Sequence, residues 1–354
     1  MRPTLKSPMT GNDMPLCREP RKIPFRKEEF EIMYHFYRDT DGAQYTETFT
    51  DEVNISQVYN QYRDKYNLPF PDEIKAIRAK YDLSAIKMSE VLGFGANVWR
   101  NYEAGEVPSE SNARLIQVAD DPMEFGKMVR LSAHLDEKAR GRILKRVDEL
   151  LKEKDGWHLG MNEEDYVMGI EPFATVPDHT TGYRKPSLER LSEMIVFFTE
   201  AMQPWKTKMN KLLFYADFRH YQLHGVSISG APYRAVTWGP VPKQFDALFD
   251  HVARTGKVDF VQKELPDGNL GGQFLPRQAA GHANGPRSFR EILFEESELA
   301  VLREVAERFA MDDARSIIEI SHREEAWQKH EKDHGIIDYN LAFGLKAFDQ
   351  HHKS

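Results

Sequence analysis

Cysteine is nearly missing. The chain of 354 residues holds one, Cys17. It can close no disulfide within itself, and it lacks the thiol pairs of a structural zinc site. Long apolar runs are missing as well, so nothing is expected to cross a bilayer. The start, MRPTLKSPMTGND, has no apolar centre of a secretory signal. A cytoplasmic protein without a membrane partner is the expectation from these absences. No glycine-rich phosphate loop appears: Gly268 to Gly272 is a turn without the Lys-Ser/Thr that must follow. An excess of positive charge is missing too. The formal net charge is −8, unlike the overall basic balance of many nucleic-acid binders, so any DNA contact must be local.

What is present is globular material. Hydrophobic residues make up 40% and charged residues 29%, enough for two or three domains with their own cores. Phe30, Ile32, Tyr34 and Phe36 alternate with neighbours at a two-residue period, which predicts a strand. Asp39 to Gly42 predicts a turn and Gln44 to Phe49 a returning strand. Ile55 to Tyr66 reads as a helix through Val58, Tyr59, Tyr62 and Tyr66. A second helix starts at Asp72, with Ile74, Ile77 and Tyr81 on one face.

The stretch Leu83 to Pro108 is the most structured signal. Ser84 caps a short helix carrying Met88, Val91 and Leu92. Gly93 and Gly95 allow a reversal. A second helix, from about Ala96 to Glu103, turns Val98, Trp99 and Tyr102 inward, and Gly105 stops it. Together they read as a helix-turn-helix, with another capped helix after Ser109, in a domain of the phage-repressor kind. On the second helix Asn97, Arg100 and Asn101 then face outward, where Asn can read adenine and Arg can read guanine or hold a phosphate. Lys87 on the first helix suits a backbone contact. From residue 71 to 119 the charges nearly cancel, six basic against seven acidic. From 127 to 154 there are nine basic and five acidic residues. This predicts an amphipathic basic helix with Ile143, Leu144, Val147, Leu150 and Leu151 as its apolar stripe.

Residues 155–186 read as a linker rich in Gly and Pro. Beyond it, Ser187 caps a helix, and Trp205 to His224 forms a second that is apolar around most of its circumference and ends at Gly225. Such a helix belongs at the centre of its domain. Tyr233 to Trp238 is a candidate strand, broken by Gly239-Pro240-Val241-Pro242 before a helix from Lys243. Val258 to Gln262 and Gln273 to Leu275 are further strands. Glu296 to Arg308, Asp312 to Lys332 and Ile336 to Lys346 read as helices.

Catalytic constellations are weak. His330-Glu331-Lys332-Asp333-His334 matches the H-E-x-x-H zinc pattern, but its flanks are charged, Gly335 cuts the helix and no third ligand stands out. Asp217, Arg219, His220 and His224 read as a polar strip on the exposed side of their helix. The expectation is no enzyme, no cofactor and no metal.

Two resemblances add to this. YNQYRDKYNLPFPDEIKAIRAKYDLSAIKMSEVLGFGANVWRNYEAGEVPS and the following DDPMEF resemble the MqsA-type (YgiT) antitoxins. In that family a zinc ribbon precedes the helix-turn-helix. SPMTGNDM at Ser7 and FYRDTDGAQYTETF at Phe36 look like its two knuckles with the cysteines gone, which implies the ribbon fold without zinc. PWKTKMNKLLFYADFRHYQLHG, APYRAVTWGPVP and SHREEAW resemble the Panacea domain of SocA/GepA-like proteins. That resemblance implies the antitoxin of a bacterial type II toxin–antitoxin pair, with the Panacea domain binding a cognate toxin and the other half repressing its own operator. It carries Trp205, Lys208, Tyr215, Asp217, Tyr233, Trp238 and Trp327 of the family pattern, of which Lys208, Tyr215, Asp217, Tyr233 and Trp238 are the toxin-contact candidates. A homodimer would match a palindromic operator. The alternative is a stand-alone, ligand-responsive transcription regulator.

The fold expected is therefore mainly α and multidomain (α+β). A degenerate zinc-ribbon-like β region occupies 1–57 and a Cro-type helix-turn-helix domain 58–132. The basic helix and linker occupy 133–186. The helical Panacea domain, with a small β-sheet, occupies 187–354.

Overall fold

The computed structural model describes residues 2–154, 163–170, 177–264, 270–277 and 288–348. They fall into two units, Met1–Gly160 and Met161–Ser354. Parts of the expected linker, 155–162 and 171–176, lie outside the described residues.

The first unit opens with an antiparallel meander of β1 (Thr4–Lys6), β2 (Asp13–Phe25), β3 (Glu28–Arg38) and β4 (Gln44–Tyr45). Arg26 and Lys27 make the β2–β3 turn with φ of 47° and 70°, the left-handed pair that a two-residue hairpin needs. Neither is glycine, and the Arg26 guanidinium holds the turn by donating to the carbonyls of Val107 at 2.7 Å and Pro108 at 3.0 Å. The expected returning strand at 44–49 stops at Tyr45. Helix α1 (Thr48–Tyr66) takes over the edge of β3 instead. Asn54 exchanges two hydrogen bonds with the His35 backbone, at 2.8 and 2.9 Å, and Gln61 donates to the Glu31 carbonyl at 2.9 Å.

At the two turns expected to replace cysteine knuckles, one carboxylate gathers the donors. Asp39 accepts from the Ser7 hydroxyl, from Thr10 Oγ1 at 3.1 Å and from the Thr40 amide at 2.6 Å. The Ser7 hydroxyl bond holds the Asp39 carboxyl below its ordinary range. Hydroxyls and a single carboxylate suit hydrogen bonding; they are not the thiolate and imidazole set that zinc takes in a ribbon.

Among the described residues six further helices follow in this unit: α2 (Pro71–Lys80), α3 (Ala85–Leu92), α4 (Val98–Glu103), α5 (Glu110–Val118), α6 (Pro122–Leu131) and α7 (Glu137–Lys154). Their shared core holds Ile74, Tyr81, Met88, Trp99, Ile116, Phe125 and Val129. Tyr81 stacks on Phe125 with centroids 3.9 Å apart. The basic helix α7 is part of this core, because Ile143 and Val147 are buried in it.

The second unit contains α8 (Glu163–Met168), α9 (Leu188–Met202) and α10 (Lys206–His224), then the antiparallel pair β5 (Tyr233–Val236) and β6 (Gly239–Pro242). The Gly-Pro-Val-Pro segment, expected to break a strand, is itself a strand. The 335–337 segment bonds the other side of β5, through Ala235 N–H to Gly335 and Ile337 N–H to Tyr233. This leaves β6 at the edge, where proline's missing N–H costs least. Then follow α11 (Phe245–Arg254), the hairpin β7 (Asp259–Glu264) with β8 (Leu270–Leu275), α12 (Glu296–Arg308), α13 (Ala314–His322) and α14 (Glu325–Gln328). Residues 339–344 form a 3-10 turn in place of the expected α-helix.

Ser187 caps α9 by accepting from the Arg190 amide, and Gly225 ends α10 at φ 72°. Burial of α10 is nearly complete, with Met209, Leu212, Leu213, Tyr215, Phe218 and Tyr221 all at 0% exposure. The long helix expected over 312–332 is divided at Glu324. Its buried carboxylate accepts from the Tyr215 hydroxyl and from the amides of Lys346 and Ala347 at 2.8 and 3.0 Å. Among the described residues no helix is long and apolar enough to cross a membrane.

Candidate functional site

The second unit is organised around Asp217. This carboxylate is fully buried and accepts four hydrogen bonds: the amides of Ile228 and Ser229 at 2.8 and 2.7 Å, the Ser229 hydroxyl at 2.5 Å and the Tyr233 hydroxyl at 2.8 Å. Burial raises its pKa, and these donors oppose that rise. The result is a clasp. It fixes the 227–231 loop and the start of β5 against α10. Gly230 is required in that loop: its φ is +75°, and a Cβ would lie 2.8 Å from the carbonyls of Arg184 and Lys185. Tyr339 adds a second tie, stacking on Phe218 and donating to the Ala231 carbonyl at 2.7 Å.

The clasp positions the β5–β6 hairpin, whose tip is Thr237 and Trp238. Trp238 is 67% exposed, a large aromatic ring held out by a short two-stranded element. Behind it Trp327 is buried and donates its indole N–H to the Val236 carbonyl at 2.8 Å. The other positions carried from the resemblance lie deeper. Tyr215, Asp217 and Tyr233 have no exposed surface. Lys208 keeps 8% and donates to the Asp312 carbonyl at 2.6 Å. Trp205 is half-buried at the N-cap of α10. Trp238 is thus the one of the five toxin-contact candidates that presents a broad surface.

The polar strip expected on the exposed side of α10 is inside. His220 keeps 2% exposure, bonds the Val226 carbonyl at 2.7 Å and stacks on His224 at 4.5 Å. Arg219 makes a two-pronged pair with Glu304 at 2.7 and 3.0 Å. Burial lowers the proton affinity of both histidines, His224 to about 4. The 330–334 motif does not lie on a helix, since α14 ends at Gln328 and His334 has a φ of 52°. His334 faces the Ala235 carbonyl at 3.1 Å, and His330 faces Asp333.

In the first unit, α3 and α4 are locked together by Ser89. Buried on α3, it accepts from the Trp99 amide at 3.2 Å. Trp99 is fully buried, and its indole N–H donates to Glu103 at 2.8 Å. Arg78 grips the same carboxylate with two nitrogens at 2.6 and 3.2 Å. These contacts fix the rotation of α4. Asn97, Arg100 and Asn101 face solvent, and Asn97 stands at the N-cap without a side-chain capping bond. Lys87 is half-buried and paired with Glu90 at 2.6 Å. On α7, Lys138, Arg142 and Lys145 are exposed.

Residues 209–328 match the family model described as Antitoxin SocA-like, Panacea domain. The match runs from inside α10 to the end of α14 and includes the Asp217 clasp and the Trp238 hairpin. No curated protein and no solved structure matches the chain.

Proposed function

We propose that this protein is the antitoxin of a bacterial type II toxin–antitoxin pair, acting by holding other macromolecules and catalysing nothing. The match of residues 209–328 to the SocA-like antitoxin domain carries the reading. In it, the second unit binds the toxin directly, and Trp238 at the hairpin tip is the apolar anchor. Exposed aromatic rings on rigid supports are the commonest energetic centres of protein interfaces. Asp217 and Tyr233 serve this surface from behind by fixing the hairpin, while Lys208 and Tyr215 tie α10 to Asp312 and Glu324.

The first unit binds the operator of its own genes, as a homodimer on a two-fold site. Support comes from the outward side chains of Asn97, Arg100 and Asn101 on a helix whose opposite face, Trp99 and Tyr102, is buried. The exposed bases of α7 add local positive charge that attracts phosphate.

Co-expression tests the first part. The product of the neighbouring gene should arrest growth alone, be harmless beside this protein, and co-purify with it. A harmless neighbour, together with operator binding that responds to a metabolite, would replace the reading with that of a ligand-responsive regulator.

A further inference from the structure

Lys211 is a buried lysine that nothing in the described structure neutralises. It sits on α10 with 1% of its surface exposed. Its side chain lies against Gly239 of β6 and Ser321 of α13. A Cβ built on Gly239 would lie 2.6 Å from Lys211 Cε, 3.1 Å from its Nζ and 2.5 Å from Ser321 Oγ. Glycine at φ +96° is thus what leaves room for the amine. Burial alone depresses the Lys211 pKa, to about 7, with no carboxylate contributing. Next along α13, His322 stacks on Trp327 at 3.9 Å with rings 12° apart. Its Nε2 is buried and has no hydrogen-bond partner among the described residues. Burial first, and then the Lys211 charge, lower the proton affinity of His322; Glu331 and the Thr237 backbone act in the opposite sense.

Burying an amine without a counter-charge works against folding. Among the described residues the fold makes no use of this one, since Lys211 donates to no carbonyl and pairs with no acid in the way that Lys208 and Lys257 do. A methionine would fill the same space at lower cost. The unused charge lies against Gly239, the hairpin residue that follows the exposed Trp238, and the unused imidazole nitrogen belongs to a ring that feels both the Lys211 charge and the Thr237 backbone of the same hairpin. The Ser321 hydroxyl beside Gly239 is already spent, donating to the Ile318 carbonyl at 2.8 Å.

We propose that Lys211 and His322 form a binding site for a single oxyanion, with Lys211 as its counter-ion. Two sources share this chemistry: a free carboxylate or phosphate ion, and an acidic side chain of a protein seated on Trp238. The second source rests on the antitoxin reading; the first does not.

The test is NMR titration of lysine side chains in the full-length protein labelled at Lys Cε, with Lys211 assigned by its loss in Lys211→Met. The titration is run in chloride, in sodium acetate and in inorganic phosphate at equal ionic strength, and again in complex with the neighbouring gene's product. An oxyanion beside the amine favours its charged form. The Lys211 midpoint should therefore rise by about one unit or more, a tenfold gain in proton affinity. A rise with acetate or phosphate assigns the site to a free ion. A rise in the complex alone assigns it to the partner's carboxylate. An unchanged midpoint in acetate, in phosphate and with the neighbouring product overturns the proposal. A neighbouring product that does not bind at all counts against the antitoxin reading, and the free-ion titrations then decide the proposal. As a second readout, acetate or phosphate should raise the Tm of the wild type more than that of Lys211→Met. Equal rises would also count against the site.

Discussion

The Gln57 side chain bonds both backbone groups of Met33, accepting from its N–H and donating to its carbonyl at 2.9 Å each. With Asn54 on His35 and Gln61 on Glu31, helix α1 covers the edge of β3 as a neighbouring strand would. Gln57→Leu leaves one N–H and one C=O of β3 without partners. The expected cost is about 2–3 kcal/mol, read as a lower midpoint in urea. An uncovered edge also invites pairing between molecules, so the variant should aggregate more readily during refolding. A variant as stable and as soluble as wild type would show that water replaces the amide without penalty.

The Asp217 clasp gives a sharper contrast. Asp217→Asn keeps the size of the side chain but removes the charge and sets an NH₂ either against the two amides, which cannot accept, or against the Ser229 and Tyr233 hydroxyls, which must then give up the protons they donate here. Loss of one buried charged acceptor from four donors should destabilise the second unit by on the order of 3 kcal/mol. Tyr233→Phe removes one of those donors and should cost about 1 kcal/mol. Thermal melts of both variants check the order. A larger loss for Tyr233→Phe would make the ring packing of Tyr233 the important contact and the clasp secondary.

Trp238→Ala should separate binding from stability. With the ring mostly in solvent, the melting curve should move by no more than about 0.5 kcal/mol. Affinity for the co-purifying partner should fall by about 2 kcal/mol or more, as for truncation of an interface centre. Calorimetry on the purified pair provides the measurement, and unchanged affinity would move the docking surface away from the hairpin.

Much of this architecture was legible where short-range chemistry dictates it. Ser84, Gly93 and Gly105 punctuate α3 and α4, and Gly225 ends α10; these residues act through their own backbone and neighbours. What depends on distant partners was not legible. β2 carries Pro15, Pro20 and Pro24, so it reads as broken pieces until β3 is seen beside it. Asn54 and Gln57 look like solvent-facing helix residues, because nothing local says that a strand edge lies opposite. The resemblance groups Tyr215, Asp217 and Tyr233 with Trp238 but does not rank them by depth: all three are buried, and of these Asp217 and Tyr233 hold the hairpin from within. Lys211 carries no local sign of burial, since a lysine in a helical pattern normally marks solvent.

The outward face of α4 yields a prediction with an internal control. Asn97→Ala, Arg100→Ala and Asn101→Ala together should lower operator affinity about a hundredfold, from losing base contacts worth about 1–3 kcal/mol each. The melting curve of the first unit should stay in place, because all three side chains are exposed. Ser89→Val should do the reverse. It removes the acceptor for the Trp99 amide and should unsettle α4, lowering stability and DNA binding together. Mobility-shift assays on the promoter of the pair, beside melts of the same samples, distinguish the two. A triple variant that still binds its operator would remove α4 from the interface.

Acid should weaken the first unit through His35. Its ring has no exposed surface, and burial, aided by the Arg18 charge, brings its pKa from 6.5 down to about 4. In the unfolded chain the imidazole protonates near 6.5. Between those values the unfolded state binds a proton that the folded state does not, so stability falls as pH drops through that window and levels off below about 4. The half-buried His224 of the second unit titrates with the same sign, so a whole-protein melt would mix the two. Hydrogen exchange of the β3 and α1 amides, corrected for the intrinsic pH dependence of exchange, isolates the first unit. Protection there should decline from pH 6.5 to 4 in the wild type and stay flatter in His35→Leu. Equal slopes in both proteins would assign the acid sensitivity of the sheet to its carboxylates, with Asp39 and its ring of hydroxyl donors the first to test.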